Sequence, residues 1–286
     1  MILVTGAAGK TGRAVLRTLV ASGESVRALV HRSDQVPVVD ALGVQDVLVG
    51  DMRDQATVGQ AAQGARAVYH ICPNVSPDEV AIGESLIAAA KSAGVEHFVF
   101  HSVLHPQIEA MPHHWRKLRV EECLFESGLA TTILQPTTYM QNVLAHWDQI
   151  LEQGIYTVPY SVDSCLSMVD LEDVAQVAAL VLTQPGHAGA TYELVGTESI
   201  SPAEIATLLG RQLDRPVCAE IVALEEWEDQ ARAAGLGDDP VANLIKMFRY
   251  YDLHGFLGNS RVLECLLEHP PNRFADFVER IVSDVQ

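Results

Sequence analysis

The 286 residues carry 37 acidic against 19 basic side chains, a net charge of −18. That argues against a nucleic-acid partner, because phosphate binding needs clustered cations. With 48% hydrophobic residues, the chain can bury a substantial core, as one large domain or a larger one carrying a smaller one. Five scattered cysteines (Cys72, Cys123, Cys165, Cys218, Cys265), odd in number and without a Cys-x-x-Cys pair, argue against a disulfide framework. No stretch approaches the length of a membrane span, and no basic, apolar leader precedes the opening Met1-Ile2-Leu3-Val4. A cytoplasmic protein without a membrane partner is expected.

In chain order, strand-like runs fall at Ile2 to Thr5, Ser25 to Val30, Val44 to Val49, Ala65 to Ile71, His97 to His101 and Thr131 to Gln135. Amphipathic helical stretches lie between them, at Gly12 to Ala21, Asp78 to Ser92 and Trp115 to Ser127. This alternation predicts an α/β fold, a doubly wound parallel Rossmann sheet with helices on both faces. After about Gln149 the rhythm changes. Short strands are expected at Gly154 to Val158, Thr191 to Val195 and Val217 to Ala223, with helices from Leu171 to Leu182 and from Asp239 to about Tyr251. Ser201-Pro202-Ala203-Glu204 reads as a helix start, with an N-cap serine, Pro at the first turn and a capping-box Glu. The run Glu225, Glu226, Glu228 and Asp229 reads as a solvated helix face. Two domains are expected, 1–150 and a smaller α/β domain 151–286, with segments able to interleave and a cleft between them.

The clearest chemical signal is Gly6-Ala7-Ala8-Gly9-Lys10-Thr11-Gly12, a glycine triad between the first strand and the first helix. Gly6 permits the sharp turn, Gly9 permits close approach of a pyrophosphate, and Gly12 permits close helix packing. The helix N-terminus adds N–H donors and a partial positive charge, so a dinucleotide is expected here, with Lys10 and Thr11 on the same turn. At the end of the second strand stand His31 and Arg32, where an NAD-preferring site places an acidic residue. A guanidinium there suits a 2′-phosphate, which favours NADP and leaves NAD open. Lys10 and Arg13 are further cations near the turn. Asp51 and Met52, after the third strand, are placed to meet the adenine.

Together with Glu96 to Ser102, Lys117 to Glu121, Ser127 to Pro136, Tyr139 to Asn142 and Tyr192 to Gly196, these motifs resemble the short-chain dehydrogenase/reductase superfamily, in its atypical NmrA-like branch. The resemblance spans most of the chain. It implies a Rossmann domain with a small C-terminal α/β domain, and it adds Ile71, Cys72, Pro73, Ser102, Lys117 and Pro136 to the cofactor-binding set. It also exposes a departure. Reductases of this superfamily use Ser, Tyr and Lys, the last two as Tyr-x-x-x-Lys. Here Lys117 is preceded at that spacing by His113, and no tyrosine lies between Tyr69 and Tyr139.

Ser102, Lys117, His113 and Tyr139 are therefore the catalytic candidates. The cluster His101, His105, His113 and His114 offers other proton donors, without a recognised metal-ligand pattern, and no metal is expected. Three functions fit these residues. One is reduction of a quinone-like or other conjugated, aromatic small molecule by NAD(P)H, in which delocalised charge lessens the need for an acid. Another is a dinucleotide-sensing regulator without turnover. A third is a ketoreductase in which His113 or Tyr139 replaces the missing acid. A homodimer is compatible with any of them.

Overall fold

The computed structural model describes residues 1–283. Eleven strands occur among them: β1 (Ile2–Val4), β2 (Val26–Val30), β3 (Asp46–Val49), β4 (Ala67–His70), β5 (His97–His101), β6 (Thr131–Pro136), β7 (Ile155–Val158), β8 (Leu166–Ser167), β9 (Ala190–Leu194), β10 (Ser199–Ile200) and β11 (Cys218–Ile221). Seven form one sheet in the order β3-β2-β1-β4-β5-β6-β9. The pairings from β3 through β6 are all parallel. The doubly wound sheet is as expected, and the strand order reverses between β1 and β4. A ligand of such a sheet binds outside the strand ends at that point.

The near-continuous apolar strands follow from burial on both faces. Leu3, Leu29, Val68, Phe98, Phe100 and Ile133 share one core with Leu86 and Ala90 of the helix Glu79–Ala93 and with Val120 and Leu124 of the helix Pro112–Ser127. The predicted helices all form. Ser201 caps Pro202–Gln212 through a reciprocal box with Glu204. The acidic run from Glu225 lies on the helix Leu224–Ala233.

The chain divides into two compact units. The first comprises Met1–Glu109, His113–Pro136 and Val174–Tyr192; the second comprises Ala110–Pro112, Thr137–Asp173 and Glu193 onward. Against a boundary at residue 150, the crossing lies at Pro136, and the chain later returns to the first unit to add β9 beside β6. Within the second unit, β8 pairs antiparallel with β10 and β7 parallel with β11. There Asp170, fully buried, accepts from Gln141 Nε2 at 2.6 Å and Asn272 Nδ2 at 3.2 Å and pairs with Arg280.

The first unit buries an unusual set of imidazoles. His70 is enclosed by the rings of Phe98 and Phe100, at 6.1 and 5.7 Å between centroids, and its Nδ1 meets Thr5 Oγ1 at 2.8 Å. His101 Nδ1 meets Tyr69 Oη at 2.6 Å. Burial pushes His70, His101 and His114 down to about 3 and His113 to about 4, with Lys117 adding to the shift of each. Each folded-state value lies below the unfolded value near 6.5, so below that pH the unfolded chain binds more protons. Stability should fall as pH drops from about 6.5 toward 4. Asp173, raised to about 6 by burial, and Glu121, also raised by burial, oppose this, but two carboxyls are outweighed by four rings. Urea midpoints measured across that window should decline steadily. A flat midpoint would show that these rings are not neutral and buried.

Candidate active site at the sheet edge

The turn after β1 is built by exclusion. Gly6 sits at φ +59°, and a Cβ there would lie 2.8 Å from the Ile71 carbonyl oxygen. A Cβ on Gly12 would lie 2.7 Å from both Cα and O of Ala7. These two glycines are required by the protein's own packing. Gly9 differs. Its φ is an ordinary −70°, and a Cβ would touch nothing closer than the Gly6 oxygen at 3.3 Å. The protein's own packing therefore constrains position 9 less than positions 6 and 12. Gly9 also N-caps the helix Lys10–Ala21 without a side chain to bond the first turn, which suits an anion. Thr5 holds the next segment in place: Ile71 N donates to Thr5 Oγ1 at 3.0 Å, and Thr5 Oγ1 donates to Ile71 O at 3.1 Å. Ile71 and buried Cys72 thus lie beside the glycine turn, followed by exposed Pro73.

At the next strand ends, Gly50 N donates to Val30 O at 2.9 Å, setting Gly50–Met52 beside His31 and Arg32. Met52 packs against the core. Two ion pairs were not foreseen from sequence. Arg32 forks onto Asp34, Nε to Oδ1 and Nη2 to Oδ2, both at 3.0 Å. Arg53 forks onto Asp51, and its hydrogen bonds hold the Asp51 carboxyl down to about 2. The Gln35 side chain accepts from the backbone N–H groups of His31 and Arg32 at 3.0 and 3.1 Å, fixing the loop.

The end of β5 brings Ser102 and Lys117 to one edge. Lys117 Nζ pairs with Glu79 Oε1 at 2.9 Å, donates to His101 O at 3.3 Å, and lies 5.3 Å from the centroid of the Phe100 ring. Both partners are nearly buried, so removing either would strand a charge at a cost of about 3–5 kcal/mol. Cys72 adjoins the same carboxylate, and burial followed by that charge pushes its thiol up. Ser102, 2% exposed, donates to Glu121 Oε1 in a short hydrogen bond. Glu121 also receives Gln135 Nε2, at 2.9 and 3.1 Å to its two oxygens. Leu104 N donates to Pro136 O at 2.9 Å, joining the loop after β5 to the end of β6.

His113 begins the same helix, with Nδ1 buried and without a hydrogen-bond partner. Burial, then Lys117 and Arg116, keep its ring neutral at neutral pH, which removes it as a cationic acid. His101 and His114 are buried too deeply to meet a ligand as cations. Tyr139 belongs to the second unit, where it caps the short helix Met140–His146 and bridges Val169. Glu79, Glu121 and Gln135 were not singled out as functional in sequence. The one available signal was that Glu121 stands four residues after Lys117, on the same helix face.

A model of the NmrA-like family matches residues 1–274. Among curated proteins, NAD(P)H azoreductase of Xenophilus azovorans is 31% identical over 280 residues, covering 98% of this chain and 97% of that protein. Quinone oxidoreductase 2 of Escherichia coli is 26% identical over 285 residues, covering 99% of each. Among solved structures, the NADPH-dependent quinone oxidoreductase of Escherichia coli complexed with NADPH superposes with a TM-score of 0.84 at 26% identity, over 99% of this chain and 100% of that one. With a family match over nearly its whole length and a full-length relative above 30% identity, this chain belongs to the NmrA-like family.

Proposed function

We propose that this protein is an NAD(P)H-dependent reductase of quinone-like, azo or other conjugated aromatic small molecules. The observation that carries the reading is the glycine turn itself, with Gly9 capping a helix N-terminus at the point where the strand order reverses. Ser102 and Lys117 stand farther along the same edge. Full-length similarity to an azoreductase and a quinone oxidoreductase supports the substrate class.

The residues present fit the dinucleotide. The backbone of Gly6 to Gly9 and the first turn of the helix, Lys10 to Gly12, would take the pyrophosphate, with the Lys10 side chain beside it. Arg32 and His31 would face a ribose 2′-phosphate, Asp51 and Met52 the adenine, and Ile71, Cys72 and Pro73 the segment between. Ser102, Lys117 and Pro136 would border the nicotinamide. When bound, the reduced cofactor supplies a hydride. A conjugated acceptor spreads the resulting charge, so the chemistry tolerates the absence of the superfamily's tyrosine. A ketoreductase relying on His113 as its acid is disfavoured, because that ring is neutral.

The direct experiment follows NADPH absorbance with purified protein, 1,4-naphthoquinone and an azo dye. Turnover with at least one acceptor is expected. Tight NADPH binding with no oxidation by any acceptor would replace the reductase with a dinucleotide sensor.

Cofactor preference rests on Arg32. A hydrogen bond to a charged group changes affinity by about one to two orders of magnitude, so Arg32→Ala should weaken NADPH by about that factor in calorimetry and leave NADH nearly unchanged. Because Asp34 holds the same guanidinium in an exposed pair, which water screens strongly, Asp34→Asn should tighten NADPH only slightly. Equal losses for NADPH and NADH in Arg32→Ala would move the discrimination to Lys10 or Arg13.

A further inference from the structure

Reduction of a quinone or azo group forms an O–H or N–H bond for every hydride accepted. At this edge the usual proton source is missing. Position 113 holds a neutral imidazole, and Lys117 is committed to Glu79 and the His101 carbonyl. One buried acid remains.

Glu121 is 3% exposed. It follows Lys117 by four residues, so both project from one helix face toward the ends of β5 and β6. Its hydrogen-bond partners are neutral: Ser102 Oγ from the end of β5 and Gln135 Nε2 from β6. Lys117 is the charged group bearing on it, from its own helix, and Lys117 is paired elsewhere. A carboxylate offers about four acceptor sites. Here two neutral donors serve only some of them, and although these bonds and Lys117 favour the anion, removal from water disfavours it. Burial outweighs the other effects and raises the Glu121 pKa. In the neutral acid the Ser102 bond reverses, with the Oε1 hydroxyl donating to Ser102 Oγ, while Oε2 keeps the Gln135 amide at 3.1 Å.

We propose that Glu121 stands protonated and serves as the proton store of the reaction, delivering through Ser102 to the reduced acceptor. The proposal rests on the reductase reading. NADPH is the reductant, giving the acceptor two electrons and a hydrogen as hydride. The charge left on the acceptor's oxygen or nitrogen takes the Ser102 hydroxyl proton as that O–H bond breaks. The Glu121 O–H proton moves to Ser102 Oγ, and the Glu121 carboxylate, held by the Gln135 amide, regains a proton from solvent. One acceptor, one NADPH and one proton are consumed per turnover. Ser102 is the residue that touches the acceptor. Glu121 acts through it and is a positioning residue.

A carboxyl that merely ties the helix to the strands would affect stability but not the pH profile. Glu121→Gln preserves shape and can still accept from Ser102. With 1,4-naphthoquinone, wild-type turnover should fall as pH rises and Glu121 loses its proton. The variant should be at least tenfold slower and flat over that limb, with unchanged NADPH affinity. Independently of cofactor, difference infrared spectra of the free protein between about pH 5 and 9, where buried glutamates titrate, should show a protonated-carboxyl band in wild type that Glu121→Gln lacks. If that variant does not fold, Ser102→Ala should abolish the same pH limb while retaining the infrared band. A variant with wild-type rate and profile, or a wild-type spectrum without the band, would overturn the proposal while leaving the reductase reading intact. Wild-type protein that oxidises no NADPH would instead overturn the reductase reading, since the infrared band is read without cofactor.

Discussion

The site depends on how closely backbone approaches backbone at the turn after β1. Gly6 lies against the Ile71 carbonyl and Gly12 against Ala7, at separations that admit no Cβ. These contacts lock three pieces together: the end of β1, the start of the helix Lys10–Ala21, and the end of β4. Because that junction is rigid, the ends of β2, β3 and β5 acquire fixed places along one edge. Gly9 stands apart from the other two. It is glycine in a conformation that any residue adopts and in surroundings that would nearly accept a methyl group. A ligand gives that choice a physical reason.

Along the edge, charge is managed by pairing. Arg32 is held by Asp34, Arg53 by Asp51 and Lys117 by Glu79. The first two pairs are exposed and yield easily to an incoming phosphate or base, since such pairs contribute little in water. The third is buried and behaves as structure, fixing Lys117 to the carbonyl end of β5. Glu121 breaks the pattern as a buried carboxyl bonded to neutral groups. Where a fold pushes neighbouring titratable groups to opposite behaviour, their chemical roles separate. Here that distinguishes a committed Lys117, a neutral His113 and an acidic Glu121.

Much of this was legible in sequence where the signal is local. The glycine spacing, the β-branched runs from Ile2 to Gln135 and the Ser201–Glu204 box each depend on residues a few positions apart, and each appears where expected. Short helices with weak amphipathic contrast, such as Gln55–Ala62, carry too little periodicity to be read. The partners that define the chemistry are separated along the chain: Lys117 from Glu79 by 38 residues and Ser102 from Glu121 by 19. No spacing rule links them, because the sheet order brings them together. The division at Pro136 rather than 150 has a similar origin. β9 is drawn back to the sheet by its pairing edge beside β6, which local composition does not announce.

The central claim is that glycine at position 9 serves a bound dinucleotide rather than the protein's own packing. Calorimetric titration of NADPH into wild type and into Gly9→Val tests this directly, with circular dichroism to follow the fold. The account predicts that wild type binds one NADPH per chain, whereas Gly9→Val keeps its fold and shows no measurable binding. A folded Gly9→Val protein that binds NADPH as tightly as wild type would contradict it.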